Sequence, residues 1–146
     1  MFNKRNTFVL IIIGIVLLFF ISNIYISVRK KGYIKQIENI FVNCIKENDN
    51  TFIRTQDSQK INNSIQSNWE EEGNIKIEGI DFHCEEENWD EQYVCVEVDY
   101  KGILGNGKET EDCEYYKIYF EINEGKVYIL KVGVSVGESG IYDLDV

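Results

Sequence analysis

Residues Phe8 to Val28 (FVLIIIGIVLLFFISNIYISV) carry no charge. A helix of that length, at about 1.5 Å per residue, reaches about 31 Å and matches a hydrocarbon core of about 30 Å. This run constrains the chain more than any other feature, because a small soluble core has no room for so long an apolar element. It divides the sequence into a short basic tail (1–7), a transmembrane anchor (8–28) and a downstream domain (29–146). Lys4 and Arg5 stand before the run, Arg29, Lys30 and Lys31 after it, and Tyr25 near its far end, where aromatic rings settle at an interface. The stretch after Phe20 offers no pair of small residues in the A-x-A pattern of a cleavage site, so the segment reads as a retained, single-pass signal-anchor.

The basic residues set the expected orientation. Counted alone, Arg29, Lys30, Lys31 and Lys35 outweigh Lys4 and Arg5 and favour a cytoplasmic C-terminal side. A short charged N-terminus ahead of the first apolar run instead reads as a tail that stays inside, and the cysteines suit an oxidising compartment. The expectation is a cell-membrane protein with an extracytoplasmic C-terminal domain.

That domain is strongly acidic. All 25 acidic residues follow the apolar run, against ten basic residues from Gly32 onward, a net charge of −15. Such a surface repels phosphate backbones, which argues against nucleic-acid binding, and it keeps a domain soluble or attracts cations and basic partners. With 44% apolar residues and no proline, the chain has the makings of one ordinary core with unbroken elements.

Periodicity supplies an α+β fold. Tyr33, Ile34, Ile37, Ile40, Phe41, Cys44 and Ile45 recur at helical spacing, up to a break at Asn48-Asp49-Asn50, and only Gly32 stands between this helix and the anchor. A second helix, capped by Asp57 or Ser58, carries Ile61, Ile65 and Trp69 on one face and ends at Gly73. The rest alternates as strands. Ile75 and Ile77 shift phase to Ile80 and Phe82 at Gly79, which suggests a bulge. Further rows are Val94-Val96-Val98-Tyr100, Tyr116-Ile118-Phe120-Ile122 and Tyr128-Leu130-Val132-Val134-Val136, with a short fifth strand from Ile141 to Leu144. A three-residue loop at Asn123-Glu124-Gly125 would pair Phe120 with Tyr128 and Ile118 with Leu130, and Gly102 to Gly107 forms another hairpin connection. The expected architecture is one or two helices on the apolar face of a four- to five-stranded antiparallel meander whose other face is wet.

The cysteines are the sharpest chemical signal. A hairpin centred on Asn88-Trp89-Asp90-Glu91 puts Cys84 opposite Cys95, within bridging range, and Cys44 and Cys113 form a second, less favoured pair. His83 adjoins Cys84, so the two point to opposite faces of a strand and do not chelate one ion. Glu85, Glu86, Glu87 and Asp90 are hard oxygen donors for calcium, without the ordered loop that presents such ligands in register; a solvated hairpin tip is the plainer meaning. Asn62-Asn63-Ser64 matches a glycosylation sequon on a predicted helix. No phosphate-binding loop, nucleophile elbow or zinc-protease motif is present, so no catalytic residue, metal site or cofactor is expected.

The order of anchor, helix, short helix and four-stranded meander resembles membrane-anchored extracytoplasmic domains of the NTF2-like and cystatin-like type. The resemblance implies a curved sheet around a helix, ligand binding or assembly into a membrane complex, and a pocket that Tyr100, Tyr116 and Tyr128 would line. A single long helix over Phe8 to Asn48 followed by strands also resembles type IV pilin-like subunits. This chain lacks their glycine before the apolar run and the glutamate within it. The expected function is therefore a non-catalytic binding or assembly domain with a protein partner or self-association through an exposed sheet edge, with a pilin-like subunit or a small pocket enzyme as alternatives.

Overall fold

The computed structural model describes residues 4–67 and 75–135. Its elements, in order, are α1 (Lys4–Glu47), α2 (Thr55–Ser67), β1 (Ile75–Asn88), β2 (Tyr93–Leu104), β3 (Glu109–Asn123) and β4 (Lys126–Ser135). The expected α+β architecture is present. Trp69, Gly73 and the expected strand from Ile141 to Leu144 lie outside the described residues.

The chain divides into two units, Met1–Lys35 and Gln36–Val146. The first is helical throughout its described length, and its large apolar side chains from Val9 to Val28 are 46–67% exposed. That stretch is long and apolar enough to cross a membrane. The one amide in its second half, Asn23, donates back to the Phe19 carbonyl at 3.0 Å, which satisfies a polar group in an apolar run. Beyond the run, the Arg29 guanidinium donates to the Tyr33 hydroxyl at 2.8 Å and lies over its ring.

The second unit is a meander in the order β1-β2-β3-β4, antiparallel throughout. Its core face carries Val94, Val96, Val98 and Tyr100 of β2 and Tyr116, Ile118 and Phe120 of β3, all buried. Ile37, Phe41 and Cys44 of α1 and Ile61 and Ile65 of α2 are buried with them. Phe41 meets Tyr116 and Phe82 edge-on, with ring centroids 4.9 and 5.8 Å apart. That geometry suits the aromatic quadrupole.

Three bulges keep the apolar rows on this face. The first inserts Glu78 and brings Ile80 and Phe82 into line with Tyr100 and Val98, as the phase shift near Gly79 predicts. The second falls at Glu85. The third, opposite the Tyr119–Phe120 step, inserts Leu130 and corrects the expected last row. The hairpin closes at Asn123–Lys126, so its loop is the two-residue Glu124-Gly125, both with positive φ (51° and 79°). That is the primed turn whose twist matches the strands. Val127 and Ile129 therefore face the core, Tyr128 and the 39%-exposed Leu130 do not, and the bulge returns Val132 to the buried side. A two-residue loop needs this extra residue, because without it the row would stay out of phase.

The outer edge of β4 is closed by groups from the helices and their connection. Gln36 accepts from the Val127 amide at 3.1 Å and donates to the Gly125 carbonyl at 3.3 Å. The Phe52 carbonyl accepts from the Ile129 amide at 2.8 Å, where Ile53 forms a parallel bridge to Ile129. Asp57, fully buried, accepts from the Val132 amide at 3.1 Å and from Arg54 Nε at 2.9 Å. Asp57 sits in the first turn of α2, where the helix dipole favours a carboxylate, while the Arg54 carbonyl accepts from the Asp57 and Ser58 amides. The expected cap residue is thus spent on the sheet.

Replacing Asp57 with alanine leaves the Val132 amide buried without its acceptor and should cost about 2–3 kcal/mol. Urea unfolding in detergent micelles, with faster hydrogen exchange at Val132 than at neighbouring β3 amides, reads this effect. Gly102→Ala should cost about 1–3 kcal/mol in the same assay. A Cβ there would stand 2.8 Å from Ile75 Cγ1 and 2.9 Å from the Lys76 carbonyl oxygen.

Candidate functional site

Polar chemistry collects in two places, one inside the fold and one on the wet face. Inside, the Tyr100 hydroxyl donates to the Tyr116 hydroxyl at 2.7 Å, and Tyr116 donates in turn to the buried Glu114. Ser64 of α2 donates to the same carboxylate at 2.6 Å. The row therefore joins β2, β3 and α2 through one buried acid. Burial, the partner tyrosine and the Glu114 charge raise Tyr116 well above an ordinary phenol, and burial raises Tyr100. Both remain neutral hydrogen-bond donors at physiological pH. With Phe41 packed against Tyr116, these rings fill the core. Tyr128 lies away from them, its ring 5.5 Å from Phe52. The structure thus brings Tyr100 and Tyr116 together and leaves Tyr128 apart.

The wet face is built by register. Counting back from the Gly102–Gly107 turn, Asp99 faces Cys113 and Glu97 faces Tyr115, while β1 sets His83 opposite Glu97 and Asp81 opposite Asp99. Asp81, His83, Glu97, Asp99 and Cys113 consequently share one side of three adjacent strands. Cys113 Sγ donates to Glu97 Oε1 at 3.3 Å, and His83 Nε2 lies 3.5 Å from Asp99 Oδ2. Donor atoms of Glu97, Asp99 and Cys113 fall within 4.8 Å of one another, the spacing at which side chains can share a cation. An open hollow of about 380 Å³ lies beside Asp81, Asp99, Lys101, Glu111 and Cys113. Further along the face, Lys117 Nζ sits 4.1 Å from the centre of the Tyr93 ring.

Burial, the bond to Glu97 and the two carboxylate charges push the Cys113 thiol up to about 12. Burial also pushes Cys84 up to about 11, with Glu87 adding to it, and raises Cys44 and Cys95. Reactive cysteines sit in electropositive surroundings that stabilise a thiolate. Here burial acts on all four, carboxylates add to it at Cys84 and Cys113, and the thiols stay protonated near neutral pH.

The expected disulfides are corrected by the register. The β1–β2 hairpin closes at Asn88–Tyr93, with Gln92 in the left-handed region (φ 54°). Cys95 consequently pairs with Glu86, and the bulge at Glu85 then shifts the count by one so that Cys84 pairs with Val96, which puts the two thiols on opposite faces. Cys44 is buried on the helix side and Cys113 stands on the wet side, with the sheet between them. All four cysteines are free. The acidic hairpin tip gathers no common site either. Glu85 and Asp90 are exposed, Glu86 accepts from the Tyr93 hydroxyl at 3.0 Å, and Glu87 accepts from Trp89 Nε1 at 2.5 Å.

Removing the charges beside Cys113 should lower its pKa. The double variant Glu97→Gln/Asp99→Asn should therefore speed its alkylation by iodoacetamide at pH 8 by on the order of tenfold, the effect of a one-unit fall. Mass spectrometry of the labelled peptide, with Cys84 as internal reference, measures it.

No family model matches this chain, and neither a curated protein nor a solved structure is detectably similar to it.

Proposed function

We propose that this chain is a non-catalytic binding or assembly domain, tethered by one transmembrane helix with its folded part outside the cytoplasm. The observation that carries the reading is the exposed apolar run of α1, which no described part of the protein covers and which lipid would satisfy. The domain side rests on Lys4 and Arg5 ahead of the apolar run, since the separation of Cys84 from Cys95 removes the disulfide argument. A non-catalytic role is supported by the state of the ionisable groups. The thiols are held protonated, the buried tyrosines are locked to Glu114, and the wet face offers charge without an activated nucleophile. A binding surface needs only the acidic rows that β2 and β3 already present.

A pilin-like structural subunit is the second reading, favoured by the unbroken helix from Lys4 to Glu47.

Carbonate extraction of membranes from cells producing the full chain tests the anchor. The chain should stay in the pellet and dissolve only with detergent, and deletion of residues 8–28 should release it. Protease added to intact cells should degrade the domain; full protection until the membrane is broken would place it in the cytoplasm. N-terminal sequencing of the mature chain decides between the two readings, because a processed start ahead of the apolar run belongs to a pilin-like subunit.

A further inference from the structure

The two edges of the sheet differ. Along β4, the outward amides of Val127, Ile129 and Val132 are engaged by Gln36, Phe52 and Asp57. Along β1, among the described residues, the one contact from an element other than β2 to the backbone is Lys46 Nζ, 3.2 Å from the Glu78 carbonyl oxygen at the first bulge. Between the bulges at Glu78 and Glu85, the stretch Gly79–Cys84 pairs regularly with Lys101–Val96. Among the described residues, that leaves six residues, about 20 Å of strand, with an outer backbone edge that no other strand pairs.

The side chains of this stretch specify what fits. On the core face Ile80, Phe82 and Cys84 are only half-buried, unlike Val96, Val98 and Tyr100 beside them. On the wet face Asp81 leads into the acidic row of Asp99 and Glu97, with His83 between. An added strand would lay alternate side chains beside Ile80, Phe82 and Cys84 on one face and beside Asp81 and His83 on the other, with Asp99 and Glu97 one strand further in. The residues on one side would be apolar and those on the other cationic. A second copy of this chain is disfavoured, because two domains that each carry a net charge of −15 repel one another.

We infer that the outer edge of β1, over Gly79–Cys84, is a docking site for an extended segment of a partner protein in which lysine or arginine alternates with apolar residues, bound as a fifth antiparallel or parallel strand. Backbone hydrogen bonds would supply affinity, and the two side-chain rows would supply selectivity. The inference rests on the binding-domain reading and gives it a surface and a partner chemistry.

The test uses the full chain in phosphatidylcholine nanodiscs and a ten-residue peptide of alternating lysine and valine. Three further peptides serve as controls: the same sequence N-methylated at every residue, a glutamate–valine alternation, and a block arrangement of the same lysines and valines. The alternating cationic peptide should bind and slow amide hydrogen exchange within Gly79–Cys84 by at least tenfold, with no change along β4. The controls should bind at least tenfold more weakly, and Asp81→Lys should weaken the alternating peptide to a similar degree. Equal binding of the N-methylated peptide would overturn the proposal in favour of diffuse charge attraction. So would binding without protection of Gly79–Cys84, or no binding at all. Concentration-dependent protection of the same stretch without peptide would overturn it in favour of self-pairing. Release of the chain by carbonate would sink the membrane reading and leave the peptide result standing, so the two failures are distinguishable.

Discussion

A single buried carboxylate links helix, strand and solvent in this fold. Asp57 lies inside the first turn of α2, accepts the Val132 amide from the last strand and holds an Arg54 guanidinium that reaches the surface. A charge so placed is tolerable only when its partners are fixed, because desolvation penalises any vacancy among them. Its position therefore depends on the Leu130 bulge, which presents the Val132 amide outward rather than that of Lys131. The bulge in turn follows from the tight turn at Glu124-Gly125. Turn, bulge and edge closure form one dependent series.

Most of the scaffold was legible in the sequence for a simple reason. The rows of β2 and β3 alternate strictly, with Val94 to Tyr100 and Tyr116 to Phe120 all facing one way, and nothing in those stretches interrupts the period. The helical spacing of Ile37, Phe41 and Cys44 was equally plain. The phase break near Gly79 announced the first bulge, because two apolar pairs stood out of step. The last strand was misread because Tyr128, Leu130 and Val132 are all apolar. A run of continuous hydrophobicity carries no phase, and the turn had to be inferred from the pattern it controls.

The site was less legible. The Cys84–Cys95 pairing depended on a hairpin centre that the turn ending at Gln92, in a left-handed backbone, displaced, and on an even register that the Glu85 bulge then broke. By contrast, the Asp99–Cys113 pairing was recoverable from the Gly102–Gly107 turn by counting outward. It escaped notice because acids on a wet face read as ordinary solvation. The buried row from Ser64 to Tyr100 had no local signal. Glu114 looks in sequence like its neighbours Glu111 and Asp112, which are not buried, and only the packing of α2 onto the sheet distinguishes it.

Closure of one sheet edge also fixes valence. Strand addition can propagate indefinitely when every new strand exposes an edge like the one it covered, which is the geometry of fibrils. Here the far side is already terminated by a side-chain amide of α1, a carbonyl of the α1–α2 connection and a carboxylate of α2. Among the described residues, a strand added beside β1 would therefore meet a sheet that ends at β4, and copies joined in that way could not continue into an endless sheet.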